Sequence, residues 1–187
     1  MSRVVLSIGS NIGDRLRMLQ SVVDGLRDWV LAVSPVYETV PWGGVEQGSF
    51  LNAVVIADDP VTDAYGWLRR GQELEHAAQR VRAERWGPRT LDVDLINCTA
   101  DGREATIRSA ELTLPHPMAH VRAFVLVPWL VVEPDATLLV GGAAQPITRL
   151  LDNIEPVDRA GVMPTDLVLR SHRGRGRAER PENGPVG

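Results

Sequence analysis

The sequence contains no lysine; all 20 of its cationic residues are arginine. A phosphate-binding loop of the Walker type needs a lysine to reach the nucleotide, so that kind of site is excluded and any grip on phosphate falls to guanidinium groups. Cysteine is nearly absent too. The single Cys98 has no partner for an intramolecular disulfide or a cysteine-based zinc site, which agrees with a reducing, cytoplasmic setting. It reads as a small buried apolar residue. No apolar run approaches the roughly 20 residues of a membrane-spanning helix, and the chain opens on Val4-Val5-Leu6-Ser7-Ile8 without the basic and apolar regions of a secretory signal. Neither a membrane partner nor export is expected.

What is present fits one soluble domain. The 187 residues are 44% hydrophobic and 24% charged, a length that suits a single core. The net charge is −4, and the five arginines from Arg170 onward face only two glutamates, so the rest of the chain is acidic. A nucleic-acid-binding surface is not indicated. From Arg170 the composition turns to Arg, Gly and Pro with few large apolar side chains, too little to offset the entropy of ordering. We therefore expect a folded domain over residues 1–165 and a disordered tail over 166–187. There is no internal repeat.

Periodicity sketches the domain. After the first strand and the turn-rich Gly9-Ser10-Asn11-Ile12-Gly13-Asp14, the residues Leu16, Leu19, Val23, Leu26 and Val30 recur at helical steps of three and four. An extended stretch from Leu31 to Thr39 follows, then a loop over Val40 to Gly48 and a third strand from Phe50 to Ala57. Asp59-Pro60 reads as a helix start, leading into Ala64, Leu68, Gly71 and Leu74 and ending before Arg80. Leu91 to Ile96 alternates as a strand does. The order β-α-β-β-α-β predicts an α+β fold, a ferredoxin-like antiparallel sheet with both helices on one face. A C-terminal extension follows: a hairpin at Asp101-Gly102, a rigid Leu114-Pro115-His116-Pro117 loop, and an apolar helix over Ala119 to Val131 broken near Pro128.

The chemistry concentrates between Gln72 and Asp94. Residues two apart on a strand point to one face, about 6.6 Å apart along the chain, so Asp92 and Asp94 project together. Paired Mg²⁺ ions about 3.5–4 Å apart would relieve their repulsion; an isolated D-x-D reads more readily as one solvated edge aspartate beside another that caps a turn. The preceding loop, Arg80 to Arg89, carries four arginines against one glutamate. Arginine offers paired planar donors for phosphate oxygens, and Gly87-Pro88 suits a lid; a solvated loop paired to Glu73, Glu75 and Glu84 is the alternative. Taken together, metal carboxylates beside an arginine lid are the parts of phosphoryl transfer. His116 is held between prolines, while Arg122 and Phe124 lie two apart near the last helix.

The segments G-S-N-I-G-D, F-L-N-A, R-V-R-A-E-R-W-G-P-R-T-L-D-V-D and L-P-H-P resemble the 6-hydroxymethyl-7,8-dihydropterin pyrophosphokinase family over about Val4 to Leu151. The resemblance implies transfer of the β,γ-pyrophosphoryl unit of ATP to the hydroxymethyl oxygen of the dihydropterin, with attack at the β-phosphorus and AMP leaving. It implies two Mg²⁺ ions on Asp92 and Asp94 and phosphate contacts from Arg80, Arg82, Arg89 and Arg122, with Arg82 and Arg89 on the mobile loop. The remaining nucleotide contacts would be Gln72, Glu75 and His116, with Trp86 closing over the site. For the pterin it points to Thr39, Pro41, Trp42, Phe50, Asn52 and Phe124. A flat ring between Phe50 and Phe124, edged by an amide such as Asn52, makes physical sense of that set.

Against a common form of the motif, one residue is missing between Arg82 and Ala83, Pro117 stands where an aromatic is expected, and Glu111 stands where some relatives carry arginine. The resemblance implies small-molecule substrates, and we expect a cytoplasmic monomer. Two other readings share the topology. A polymerase-palm or cyclase-like domain would accept a nucleotide hydroxyl. An RNA-recognition domain would expose aromatics on its central strands, and Val4–Ile8 and Leu91–Ile96 contain none.

Overall fold

The computed structural model describes residues 2–40, 48–78 and 90–171. In chain order it forms β1 (Ser2–Ser10), α1 (Arg15–Gly25), β2 (Val30–Val33), β3 (Tyr37–Thr39), β4 (Phe50–Asp59), α2 (Ala64–Ala77) and β5 (Asp92–Ala100). The short strands β6 (Arg103–Glu104), β7 (Ile107–Arg108) and β8 (Thr113–Leu114) follow. Then come α3 (Ala123–Val132), β9 (Thr137–Val140), β10 (Ala143–Pro146), α4 (Ile147–Asp152), α5 (Pro156–Ala160) and β11 (Val162–Pro164).

Among the described residues the main sheet has seven strands in the order β11-β3-β4-β1-β5-β6, with β2 also paired to β4. Its pairings are antiparallel. The alternation of β1 divides the interior. Val4, Leu6 and Ile8 pack with Leu19, Val22 and Val23 of α1 and Trp67 of α2, so both early helices cover one face as expected. Val5 points the other way, joining Val54, Ile56 and Ile96 under Val125, Leu126 and Trp129 of α3 and Ile147 and Leu150 of α4. The C-terminal extension is thus a third layer, and it turns the sheet into a two-sided core.

Four local expectations need correction. The 31–39 stretch is two strands, because Pro35 removes a ladder donor; at the break the Val54 amide donates to the Ser34 hydroxyl at 2.9 Å instead of to a strand carbonyl. Asp59-Pro60 does not open α2. Asp59 ends β4 and accepts from the Val61 amide at 2.9 Å and the Thr62 hydroxyl at 2.6 Å, while Asp63 caps the helix by accepting from the Gly66 amide at 2.7 Å. Pro128 does not break α3. It is buried inside the helix with Leu126 and Trp129, and burial of that apolar segment outweighs the lost amide; the interruption falls at Arg122 instead, whose extended backbone (φ −107, ψ 100) separates a 3₁₀ turn over Ala119–Val121 from α3. Finally, packed chain runs past residue 165. Leu169 is buried in the first core, and the Arg170 amide donates to the Gln20 side chain at 2.9 Å. The rest of the expected tail, from 172, lies outside the described residues.

Candidate active site

The site lies on the sheet face turned toward α3. Along β5, Val93 and Leu95 point into the first core, so Asp92 and Asp94 project from the opposite face, half-buried. The same pleat puts Phe50 and Asn52 of β4 and Thr39 of β3 on that face, since Asn52 is paired with Gly9 and Thr39 with Phe50. A register shift between Val5 and Leu6 leaves Ile96 as an extra residue in β5. Beyond that bulge Ile96 enters the second core, and its carbonyl accepts from the His116 amide at 2.8 Å. The bulge therefore anchors the His116 loop beside the carboxylates.

Arg122 is 7% exposed at the start of α3 and brings Nη1 to 3.3 Å from Asp94 Oδ2. Its guanidinium also lies over the Phe124 ring, 5.6 Å from the centroid. A buried cation is costly unless an anion pairs with it, and Asp94 is that partner. Burial pushes the His116 imidazole down to about 4, the Arg122 charge beside it adding to the effect and Asp92 opposing it. The ring is neutral at pH 7. Its Nδ1 accepts from the Met118 amide at 3.2 Å, which leaves the proton on Nε2 as a neutral donor.

Two of the residues expected at the pterin form a buried polar pair. Asn52 and Thr39 are both 4% exposed, and the Asn52 Nδ2 donates to the Thr39 hydroxyl at 2.6 Å. The G-S-N-I-G-D segment has work that its spacing did not reveal. Asp14 caps α1 by accepting from the Arg17 amide at 3.1 Å; Asn11 donates to the Gly48 carbonyl at 3.2 Å. Arg15 donates to the Ser49 carbonyl at 2.8 Å and to Glu38 at 2.9 Å. The loop residues Gly48 and Ser49 that lead into Phe50 are thereby tied to the start of α1.

The residues expected around the nucleotide separate. Gln72 is exposed on α2, whereas Glu75 is 6% exposed and accepts from the Val93 amide at 2.9 Å. That amide lies between the two aspartates. Gly71, one turn earlier, lets α2 approach: a Cβ there would stand 3.2 Å from Val93 Cγ1. Glu75 thus steadies the strand that carries the carboxylate pair, a contact invisible to sequence spacing because it joins helix to strand edge. Pro41, Trp42, Arg80, Arg82, Trp86 and Arg89 lie outside the described residues.

Asp92 and Asp94 fit a hard divalent cation in donor type and placement. Among the described residues no group of three or more His, Cys, Asp or Glu side chains is arranged to hold a metal. No helix among the described residues is long and apolar enough to cross a membrane.

Comparison with known proteins gives this geometry a family. A family model described as 7,8-dihydro-6-hydroxymethylpterin-pyrophosphokinase (HPPK) matches residues 5–134. The 2-amino-4-hydroxy-6-hydroxymethyldihydropteridine pyrophosphokinase of Mycobacterium tuberculosis is 60% identical over 167 residues, 87% of this chain and 89% of that protein. The protein of the same name from Mycobacterium leprae is 62% identical over 179 residues, 92% of this chain and 94% of the relative. The one from Methylorubrum extorquens is 40% identical over 162 residues, covering 83% and 96%. Wild-type Plasmodium falciparum HPPK-DHPS shares the fold, with a TM-score of 0.57 at 13% identity over 81% of this chain; the chain spans only 44% of that longer protein. With a family match across most of its length and relatives of nearly its own size, the chain belongs to the 7,8-dihydro-6-hydroxymethylpterin-pyrophosphokinase family.

Proposed function

We propose that the chain transfers the pyrophosphoryl group of ATP to 6-hydroxymethyl-7,8-dihydropterin, giving the pterin diphosphate and AMP in folate biosynthesis, and that the α3-facing side of the sheet is where it does so. The hydroxymethyl oxygen forms a bond to the β-phosphorus of ATP, the bond from that phosphorus to the oxygen bridging it to the α-phosphorus breaks, AMP leaves with that oxygen, and the hydroxyl proton passes to water. No covalent enzyme intermediate is needed. Catalysis of such a displacement rests on positioning and on charge stabilisation.

The observation that carries this reading is the juxtaposition of Asp92 and Asp94 with Arg122 on the face that also holds Asn52 and Thr39. Asp92 and Asp94 would hold two Mg²⁺ ions. Bound there, the ions would neutralise the phosphates and draw the substrate hydroxyl toward them. Arg122, desolvated and already beside Asp94, would add positive charge where the phosphates gather. His116 would donate its Nε2 proton without contributing net charge. Phe124 and Phe50 would flank the flat pterin ring, and the Asn52 amide would read its edge; a ligand lacking those polar groups would leave buried partners unsatisfied. Thr39, Pro41 and Trp42 complete the pterin side in this reading. Gln72, Arg80, Arg82, Trp86 and Arg89 complete the nucleotide side, with Glu75 acting through β5. The enzyme is proposed to work as a cytoplasmic monomer.

Calorimetry tests the reading directly. Dihydropterin should bind tightly only once Mg²⁺ and a non-hydrolysable ATP analogue are present. Equal affinity with and without them, or turnover that releases ADP in place of AMP, would overturn it.

A further inference from the structure

Gly9 occupies the middle of a row that crosses the sheet. On β4 its partner is Asn52, and on β5 its partner is Asp92. Directly opposed residues share a face, so the amide assigned to the pterin and the first of the metal carboxylates flank Gly9, two strand spacings or about 10 Å apart. Between them the row carries no side chain.

A glycine weakens the interior of a strand, and here the backbone has no need of one, since Gly9 does not adopt a positive φ. What the position uses is the missing side chain. A Cβ on Gly9 would stand 2.7 Å from the Asn52 Oδ1, with the next contact, Phe50 Cδ1, at 3.7 Å. The Asn52 amide therefore leans into the volume a methyl group would fill. It is held there by its donation to the Thr39 hydroxyl at 2.6 Å and by its burial to 4% exposure.

We propose that Gly9 is a positioning residue for the acceptor substrate: its bare Cα seats the Asn52 amide against Thr39 and keeps open the strip between that amide and Asp92, along which the hydroxymethyl arm reaches the carboxylates. This rests on the proposed pterin role of Asn52. A methyl group at position 9 would collide with Oδ1 and turn the amide off Thr39 into the strip, while the phosphate-facing residues on β5 and α3 stay in place.

Steady-state kinetics on Gly9→Ala, Asn52→Ala and the double variant test it. Gly9→Ala should raise the KM for dihydropterin about tenfold or more, with the KM for ATP within about twofold. In the Asn52→Ala background the same change should shift the dihydropterin KM by less than about threefold, because the atom it strikes is gone. An unchanged dihydropterin KM in a folded Gly9→Ala enzyme overturns the proposal, and so do additive effects in the double variant. If Gly9→Ala alone does not fold, the double variant must; its failure to fold also overturns the proposal. An Asn52→Ala enzyme with an unaltered dihydropterin KM would bring down the substrate reading of this face together with the proposal, whereas impaired Asn52→Ala beside unaffected Gly9→Ala would remove the role of Gly9 alone.

Discussion

Replacing Asp94 by asparagine separates catalysis from folding. The substitution keeps the shape of the side chain and an oxygen facing Arg122, 3.3 Å away, but removes the charge. At an effective dielectric of about 20, the Asp94–Arg122 attraction is worth about 5 kcal/mol before desolvation, and the repulsion from Asp92, about 6.6 Å along the strand, returns about 2.5. Asp94 is 31% exposed, so water screens both terms and the net change in stability should be about 1 kcal/mol. For a domain of this size that is a shift in Tm of about 2–4 °C. Turnover should fare much worse. Loss of a group that stabilises developing charge costs about 10²–10³ in kcat, and at 1.36 kcal/mol per decade a 10³-fold loss is about 4 kcal/mol of transition-state stabilisation. AMP release at saturating ATP and dihydropterin, measured across a Mg²⁺ titration beside a thermal melt, reads both quantities. Turnover within about tenfold of wild type at saturating Mg²⁺ would refute the metal assignment; a loss of activity matched by collapse of the fold would refute its catalytic character.

Other perturbations follow from single contacts. Glu75→Leu leaves the buried Val93 amide without its acceptor and should cost about 1–3 kcal/mol, whereas Glu75→Gln keeps an acceptor and should lose less than half of that; equal losses in denaturant melts would contradict the contact. For His116, a native pKa of about 4 lies below that of the unfolded chain, near 6.5. The unfolded state therefore binds the extra proton between pH 6.5 and 4, so stability falls as pH drops through that window. The acid limb should be shallower in His116→Gln, and an NMR titration that places the native imidazole above pH 6 would refute this. Burial pushes the Glu104 carboxyl up even though the Leu139 amide and the Asn97 side chain donate to it, so its charged form opposes folding at neutral pH. Glu104→Gln retains an acceptor for Leu139 and should leave Tm at pH 7 equal or higher; a fall of more than about 5 °C would show that the charge is needed.

Much of this protein was legible along the chain because its signals are local. The alternation of Leu91 to Ile96 set Asp92 and Asp94 on one face, and the two helical repeats announced α1 and α2. Errors arose where a contact distant in sequence overrode a local rule. Burial carried α3 through Pro128, and Asp59 turned its carboxylate to Val61, Thr62 and Arg70 instead of opening a helix. Glu75 shows the limit for the site itself: its residue type and position drew attention, but its partner, a strand amide 18 residues on, did not follow from either.

The order of residues alone therefore determined the chemistry on offer: guanidinium in place of ammonium, two carboxylates two residues apart, and motifs specific enough to suggest the family. Only the tertiary structure decided how those groups meet. Whether a cross-strand neighbour is an amide, a bare glycine or a carboxylate depends on register, and register is set by side chains packing across the whole sheet. That is why the row Asn52–Gly9–Asp92, drawn from three strands, could be seen only after the sheet was assembled.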